Sequence, residues 1–303
     1  MVIFFLILPL VSYASVIGSV KTVGKGKLGI GVDGDYVFDR DLSPGAWTTN
    51  QTIFSESAGA VQILNRNWDI SKPKIDSMYR AAGKVSYGLL DDLDVYLKLG
   101  TSQEQIKSSL SGSGSVEIPS FAIKLPIILH DGTLKYDTDN AFTYGGGIKL
   151  THEFSDGWII GCDSQYLREE YDYKASRDYL LDIPAVAISG IPISEGWEGE
   201  LITQQWLIAP YIAKKIFNFT PYVGFVYTYL SMKDKSKVPT SFTLPTDNVT
   251  DLSTGGYSLK YHNKCSISPF VGLSYKFDDH WNINVEGRFV DETALSVEGN
   301  FVF

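Results

Sequence analysis

The chain alternates. From residue 27 onward, apolar and polar side chains take turns in ten short runs, and a period of two marks strands with two unlike faces. In the first run, Lys27–Phe38, Leu28, Ile30, Val32, Tyr36 and Phe38 share one face, and Gly29, Gly31, Asp33 and Asp35 share the other. In the second, Lys74–Tyr87, Ile75, Tyr79, Ala81, Val85 and Tyr87 oppose Asp76, Arg80, Lys84 and Ser86. A tight turn over Gly88–Asp92 leads to the third, where Leu93, Val95, Leu97 and Leu99 alternate with Asp94, Tyr96, Lys98 and Gly100. Seven more runs follow, at about Ala141–Phe154, Trp158–Glu169, Glu200–Lys214, Phe219–Tyr229, Lys264–Phe277, Trp281–Val290 and Leu295–Phe303.

The connections have a parity. Those after the even runs are short: Gly88–Asp92, Ser155–Gly157, Lys215–Asn218 and Asp278–His280. Those after the first four odd runs are long: Asp39–Pro73, Thr101–Asn140, Tyr171–Gly199 and Met232–Tyr261. A soluble sandwich has no reason to sort its loops this way, whereas a barrel crossing a membrane does. Two short turns echo each other, Phe154-Ser-Asp-Gly-Trp158 and Phe277-Asp-Asp-His-Trp281. Within the second long connection Phe121, Ile123, Leu125 and Ile127 also alternate. That stretch is a rim extension, an inward plug, or half of an additional strand pair that would make twelve. Proline removes a ladder donor; Pro210 and Pro221 lie near a turn, but Pro269 falls in mid-strand with only a bulge to explain it.

The last run, with Phe303 as its final residue, resembles the closing strand of bacterial outer-membrane β-barrels of the porin-like and small OmpA-like kinds. The resemblance implies an all-β fold: a transmembrane up-and-down antiparallel β-barrel of about ten strands, with twelve as the alternative. It also implies that Phe301 and Phe303 form an assembly signal read by the barrel assembly machinery, and that outer-membrane lipid is a partner. The first fourteen residues are an apolar run ending in Ser12-x-Ala14, which resembles a secretory signal cut after Ala14, although no Lys or Arg precedes it. The expected organisation is a signal at 1–14, a periplasmic lead-in at 15–26 and a barrel over 27–303. No Cys directly follows the signal to carry a lipid anchor.

Composition is consistent with this and narrows function. Hydrophobic residues make up 44%, with 18 Tyr, 16 Phe and 6 Trp, enough for aromatic girdles at two interfaces. Mean hydropathy is −0.02, as expected when apolar residues fill every second position. A net charge of −9 argues against nucleic acid as a partner. Cys162 and Cys265 fall on strands three apart, so no disulfide is expected. No cofactor motif or metal-ligand cluster is evident.

The face opposite the apolar rows lines the lumen. It carries Asp33, Asp35, Asp76, Arg80, Lys84, Asp94, Lys98, Lys149, Asp163, Glu169, Glu286, Arg288 and Glu298, eight acidic and five basic. Cross-strand ion pairs follow, for instance Arg288 with Glu286 or Glu298. The glycines at 29, 31, 145, 147, 161, 224 and 272 leave room there or ease curvature. Ten strands sit close to the filled end of the barrel series. The charges either interlock in an occluded barrel or line a narrow, slightly cation-favouring passive channel for small solutes. The alternative function is a structural or adhesive surface barrel, whose long loops with Trp47, Trp68 and Trp197 bind partners.

Size and strand number also resemble the omptin proteases, which use paired Asp residues and an Asp-x-His at the extracellular rim. Here Lys260 stands where that Asp would precede His262, and Asp91-Asp92 is at the wrong end. The four His (130, 152, 262, 280) are scattered, so no enzyme is expected.

One test needs only the terminal pattern. Phe303→Asp is expected to reduce the amount of folded barrel in the outer membrane much more than Val302→Asp. Cell fractionation with a heat-mobility gel measures it, and equal loss for both would remove the special role of Phe303.

Overall fold

The computed structural model describes residues 17–43, 45–55, 59–118, 123–186, 188–236, 241–243, 249–251, 260–262, 267–290 and 292–303. The expected signal at 1–14 lies outside the described residues, as do Cys265 and the side chains of Trp47, Trp68 and His262.

The strands are β1 (Leu28–Asp41), β2 (Gly45–Ser55), β3 (Gly59–Leu90), β4 (Leu93–Ile118), β5 (Ile123–Thr138), β6 (Ala141–Glu153), β7 (Trp158–Ile183), β8 (Ile188–Lys214), β9 (Phe219–Ser236), β10 (Ser241–Thr243), β11 (Val249–Asp251), β12 (Lys260–His262), β13 (Ile267–Lys276), β14 (Trp281–Arg288) and β15 (Glu292–Val302). Ten of them close a ring in the order β1, β3, β4, β6, β7, β8, β9, β13, β14, β15, with each pair antiparallel. The seam is the pairing of β15 with β1, in register from Gly29 opposite Val302 to Arg40 opposite Glu292. The main chain of Phe303 extends it by donating to the Leu28 carbonyl at 2.9 Å.

The other strands prolong the wall. β2 carries on from β1 along the far part of β3. β5 runs into β6, and both lie between β4 and β7. β12 precedes β13 along β9. Residues 123–129 are therefore a rim extension at an existing ring position, and no extra spanning pair is needed; Phe121 is outside the described residues. The segments read as long loops at 101–140 and 171–199 are built mainly as strand.

An apolar belt circles the outside. Leu97 and Leu99 are 69% and 60% exposed, and Ile148, Leu150, Trp206, Ile208, Val223, Phe225, Val271 and Val285 join them around the ring. In water this would be an apolar patch far larger than soluble monomers carry. Aromatic residues border it, with Phe154, Trp158, Phe219, Phe277, Trp281 and Phe303 at the turn end and Phe38, Phe142, Tyr229 and Phe289 at the other. The belt takes only part of each strand. At about 3.3 Å per residue, the 26 residues of β7 run for roughly 85 Å, whereas a tilted crossing needs about 9–11 residues.

Beyond the belt the pattern inverts. On β7, Ile160, Cys162 and Tyr166 face outward at belt level, with Asp163, Gln165 and Glu169 inward. Farther on, Arg168, Glu170 and Lys174 face outward, while Tyr171, Tyr173, Ala175, Tyr179 and Leu181 are buried inside. Ile70, Ile106, Leu110, Leu129, Tyr136, Leu201 and Met232 turn inward at the same height and form one apolar core. The upper part of the wall thus surrounds a core of the water-soluble kind. Trp197, expected as an exposed loop aromatic, is 2% exposed and belongs to this core, against Tyr136. The wall is not equally tall: β14 ends at Arg288 and β15 begins at Glu292, so that side stops just above the belt.

Two local features were not expected. A bulge between Ile75 and Ser77 shifts the phase of β3 against β4. Ile75 is consequently buried inside, at 1% exposure, and Asp76 faces out toward Lys107 and Lys74. Asp76 is thus removed from the lumen set. Pro269 needs no bulge. Its carbonyl accepts from Phe289 N at 3.1 Å, so its ring nitrogen also points toward β14, which has already ended at Arg288. The donor that proline lacks is therefore that of the last rung only, at the end of β14. The two echoed turns close alike, Phe154 N donating to Trp158 O at 2.8 Å and Phe277 N to Trp281 O at 3.0 Å.

The phase shift is testable by urea unfolding of micelle-refolded protein. Ile75→Asp should lower stability by about 3–5 kcal/mol, since it buries an unpaired charge. Asp76→Ile should change it by less than about 1 kcal/mol, the worth of an exposed ion pair. The opposite ranking would place Asp76 in the lumen after all.

Candidate functional site in the barrel interior

The interior at belt level is mixed: an apolar cluster of Leu207, Ala209, Tyr211, Tyr222, Val226 and Phe270 lines one side, and charged side chains fill the rest. Its charged side chains fall into two tiers. The one nearer the turns is built on lysines. Lys84 and Lys98 are direct cross-strand partners on β3 and β4, an arrangement that like charges disfavour. Each has its own carboxylate: Lys84 pairs with Glu298, and Lys98 with Asp33 at 2.5 Å. Both ammonium groups also lie near the Tyr96 ring, at 5.5 and 5.7 Å from its centre. Lys149 is 3.4 Å from Asp163, which accepts from Tyr96 Oη at 2.5 Å.

The second tier is built on arginines. Arg288 meets Asp35, Glu292 at 2.8 Å and Glu286 at 3.6 Å. Arg80 donates from Nε to Glu169 at 2.7 Å, reaches Asp35 at 3.8 Å, and contacts Gln205 at 3.3 Å. Arg40 closes on Glu292. The planar fork lets one guanidinium serve several carboxylates, which an ammonium does less well. The space left among these side chains is about 10 Å³, at the threshold for one water.

Twelve of the thirteen expected lumen residues are buried in these tiers: Asp33, Asp35, Arg80, Lys84, Asp94, Lys98, Lys149, Asp163, Glu169, Glu286, Arg288 and Glu298. Arg288 meets Glu286 as expected, but Glu298 is taken by Lys84. Reading the sequence missed Arg40, Glu104 and Glu292, and in the upper core Arg177, Glu195 and Asp234. Arg40 lies past a bulge between Val37 and Asp39, and the others lie in segments read as loops. The signal was available for Glu104: Ser102, Glu104, Ile106, Ser108 and Leu110 keep the inward period of β4 without a break. In the upper core Arg177 pairs with Glu195, which Tyr179 also bonds at 2.8 Å. Asp234 lies above the belt; burial raises its carboxyl to about 6, against donation from Tyr173 at 2.5 Å and Tyr136 at 3.3 Å.

The lumen glycines make room for rings on the neighbouring strand. A Cβ on Gly147, Gly161 or Gly272 would overlap the rings of Tyr96, Tyr211 or Tyr222. These tyrosines therefore lie flat on the wall.

The turn end of the lumen is filled by the chain itself. Residues 17–23, in the stretch expected as a periplasmic lead-in, fold back inside the ring. Lys149 Nζ donates to the carbonyls of Ile17 and Ser19, and Tyr211 Oη to that of Val20 at 2.7 Å. Val23 N donates to Asp94 at 2.8 Å, and Thr22 Oγ1 to the Asp91 carbonyl at 2.6 Å. Ile17 and Val20, each 1% exposed, pack among Leu207, Tyr211, Tyr222, Val226 and Phe270. A cavity of about 170 Å³ remains below them, at the mouth.

Among the described residues no three His, Cys, Asp or Glu are placed to hold a metal. Cys162 is a free thiol on the outer face. His130 bridges Asp131 at 2.9 Å and Asp182 at 3.1 Å, His152 bonds Asp92 at 3.0 Å, and His280 bonds the Val302 carbonyl at 2.8 Å. Phe301 and Phe303 lie on the outside at the turn end, rings 4.8 Å apart, with Trp281 at 4.9 Å from Phe301.

No family model matches the chain. Two major outer membrane porins of Chlamydia pneumoniae are 23% and 22% identical to it, each over 90% of this chain and 84% of the relative. Among solved structures, the outer membrane protease OmpT from Escherichia coli matches with a TM-score of 0.39 and 10% identity, over 91% of this chain and 97% of that one. An outer membrane channel from Pseudomonas putida F1 matches with a TM-score of 0.33 and 9% identity, over 94% and 98%.

The ion network makes its own prediction. Arg288→Met leaves Asp35, Glu286 and Glu292 without their shared cation and should cost about 3–5 kcal/mol in urea unfolding. Adding Asp35→Asn should restore part of that loss, because the two sites act as one. Additive losses would show that the tier is not a unit.

Proposed function

We propose, for this porin-like protein of the outer membrane, a narrow passive pathway for small hydrophilic solutes that favours cations and is closed in the conformation described. The observation that carries it is the charge of the lumen. The arginine tier sets Asp35, Glu104, Glu169, Glu286 and Glu292 against three arginines, and the lysine tier sets Asp33, Asp94, Asp163 and Glu298 against three lysines. The excess is two carboxylates in one tier and one in the other. Several of their oxygens, namely Asp33 Oδ1, Asp94 Oδ1, both of Glu104, Glu169 Oε2 and Glu298 Oε2, accept no hydrogen bond among the described residues. Leaving such groups dry costs about 1–3 kcal/mol each or more, which supports reading this interior as one that water enters. A wet, net-negative lumen concentrates cations and repels anions.

The porin relatives support the pathway. The upper apolar core stands in the way of a straight exit, and the low wall between Arg288 and Glu292 offers a way round it. The same relatives favour a conduit over an enzyme.

Single-channel recording in planar bilayers tests this. Small discrete steps are expected, with the reversal potential in a KCl gradient showing about a twofold or greater preference for K⁺. Glu104→Gln should move that potential toward zero. Folded protein that yields no steps at any voltage would overturn the pathway and leave a structural surface barrel.

A further inference from the structure

We propose that residues 17–23 are the gate of this pathway, a segment that closes the periplasmic half of the lumen at rest and withdraws to open it. The proposal rests on the pore reading above. Its basis is the way the segment is attached. The ring of strands closes without it, from β15 back to β1. It joins β1 through Gly24 and Gly26, whose φ values of +91° and +75° mark a two-point hinge on either side of Lys25. The lumen holds it by the apolar packing of Ile17 and Val20 and by its main chain, of which Lys149 takes two carbonyls, Tyr211 a third, and Asp94 an amide. Bonds of this kind can be exchanged for water one at a time, unlike a packed core.

The fit is nevertheless a built one. Gly18 has φ +57°, and a Cβ on it would overlap the carboxylate of Glu298. A Cβ on Gly29, in the wall, would overlap Val23. The wall and the segment are each relieved of a side chain where they meet. Withdrawal would expose the apolar pocket of Ile17 and Val20, but beside it polar groups that water can solvate. Lys149 keeps Asp163 at 3.4 Å, and Asp94 faces the lumen among lysines. The cavity of about 170 Å³ at the mouth gives the segment room to move toward the periplasm.

The test compares three proteins in planar bilayers: the natural chain, a deletion of residues 15–23, and Gly18→Leu, which puts a side chain where Glu298 stands. Each is first shown to be folded by heat-dependent gel mobility. Both variants should spend about tenfold more time open at the same voltage. Equal open times in all three would overturn the gate and leave the pore reading standing. Absence of steps in all three would overturn the pore reading itself.

A second measurement covers variants that do not fold. Val20→Cys, in a chain with Cys162→Ser and Cys265→Ser, should react slowly with an impermeant maleimide in liposomes. Adding Lys149→Met and Tyr211→Phe should speed labelling about tenfold. Labelling of the single cysteine at the rate of an exposed thiol, unchanged by the added substitutions, would overturn the gate.

Discussion

Hydrocarbon accepts no unpaired backbone group, and the whole architecture depends on meeting that condition with a closed ring. The seam between β1 and β15 satisfies it, and the last residue of the chain completes it through the bond from Phe303 to Leu28. Closure dictates an even number of crossings when the strands run up and down, so no odd strand could be tolerated. It also explains where proline is allowed. Pro269 sits one register step beyond the end of β14, where the missing donor costs the ladder only its last rung. Strand β14 is short and proline is possible for the same reason: the wall stops there.

A second constraint acts along each strand. Below the outer edge of the belt the exterior is lipid and the interior is largely polar, and above it the exterior is water. The same alternating strand therefore exchanges the roles of its two faces partway up. This one change decides what could be read from the sequence. Alternation with apolar residues outside identified all ten ring positions and twelve lumen residues. Where the roles exchange, the outer face became Arg168, Glu170 and Lys174, and the run looked as though it had ended. It continued, as Tyr171, Tyr173 and Ala175 on the inner face. Glu104, Arg177 and Trp197 were hidden in the same way. Asp76 was misplaced for a different reason. A bulge inserts one residue of phase, and a period-two pattern carries no mark of where that happens. Ile75, followed two residues later by Ser77 and then Met78, was the trace it left.

Charge inside the barrel is arranged by what each cation can do. Arginines occupy the tier with the larger carboxylate excess, where a fork can serve Asp35, Glu286 and Glu292 together. Lysines occupy the tier crossed by Tyr96, where Lys84 and Lys98 each have one carboxylate and lie near its ring. Neither tier is neutral. Interlocked pairs alone would favour matched numbers, because an unpaired buried charge is strongly destabilising. The surplus carboxylates need solvent, a cation or a proton to be accommodated, and this favours the conduit proposed above over a solid plug.

Lys149 ties these arguments together. It is buried, its nearest carboxylate is 3.4 Å away, and its closest contacts are the carbonyls of Ile17 and Ser19. An ammonium in that position is solvated by the N-terminal segment when the segment is in place and by water when it is not. The two states of the lysine are thus the closed and hydrated states of the lumen. Opening the gate and wetting the lysine tier become one event, because each removes the reason for the other to stay as it was. The apolar contacts of Ile17 and Val20 with Tyr211, Tyr222 and Phe270 set the balance on the closed side. The glycine hinge at 24 and 26 lets that balance be crossed without disturbing a single strand pairing.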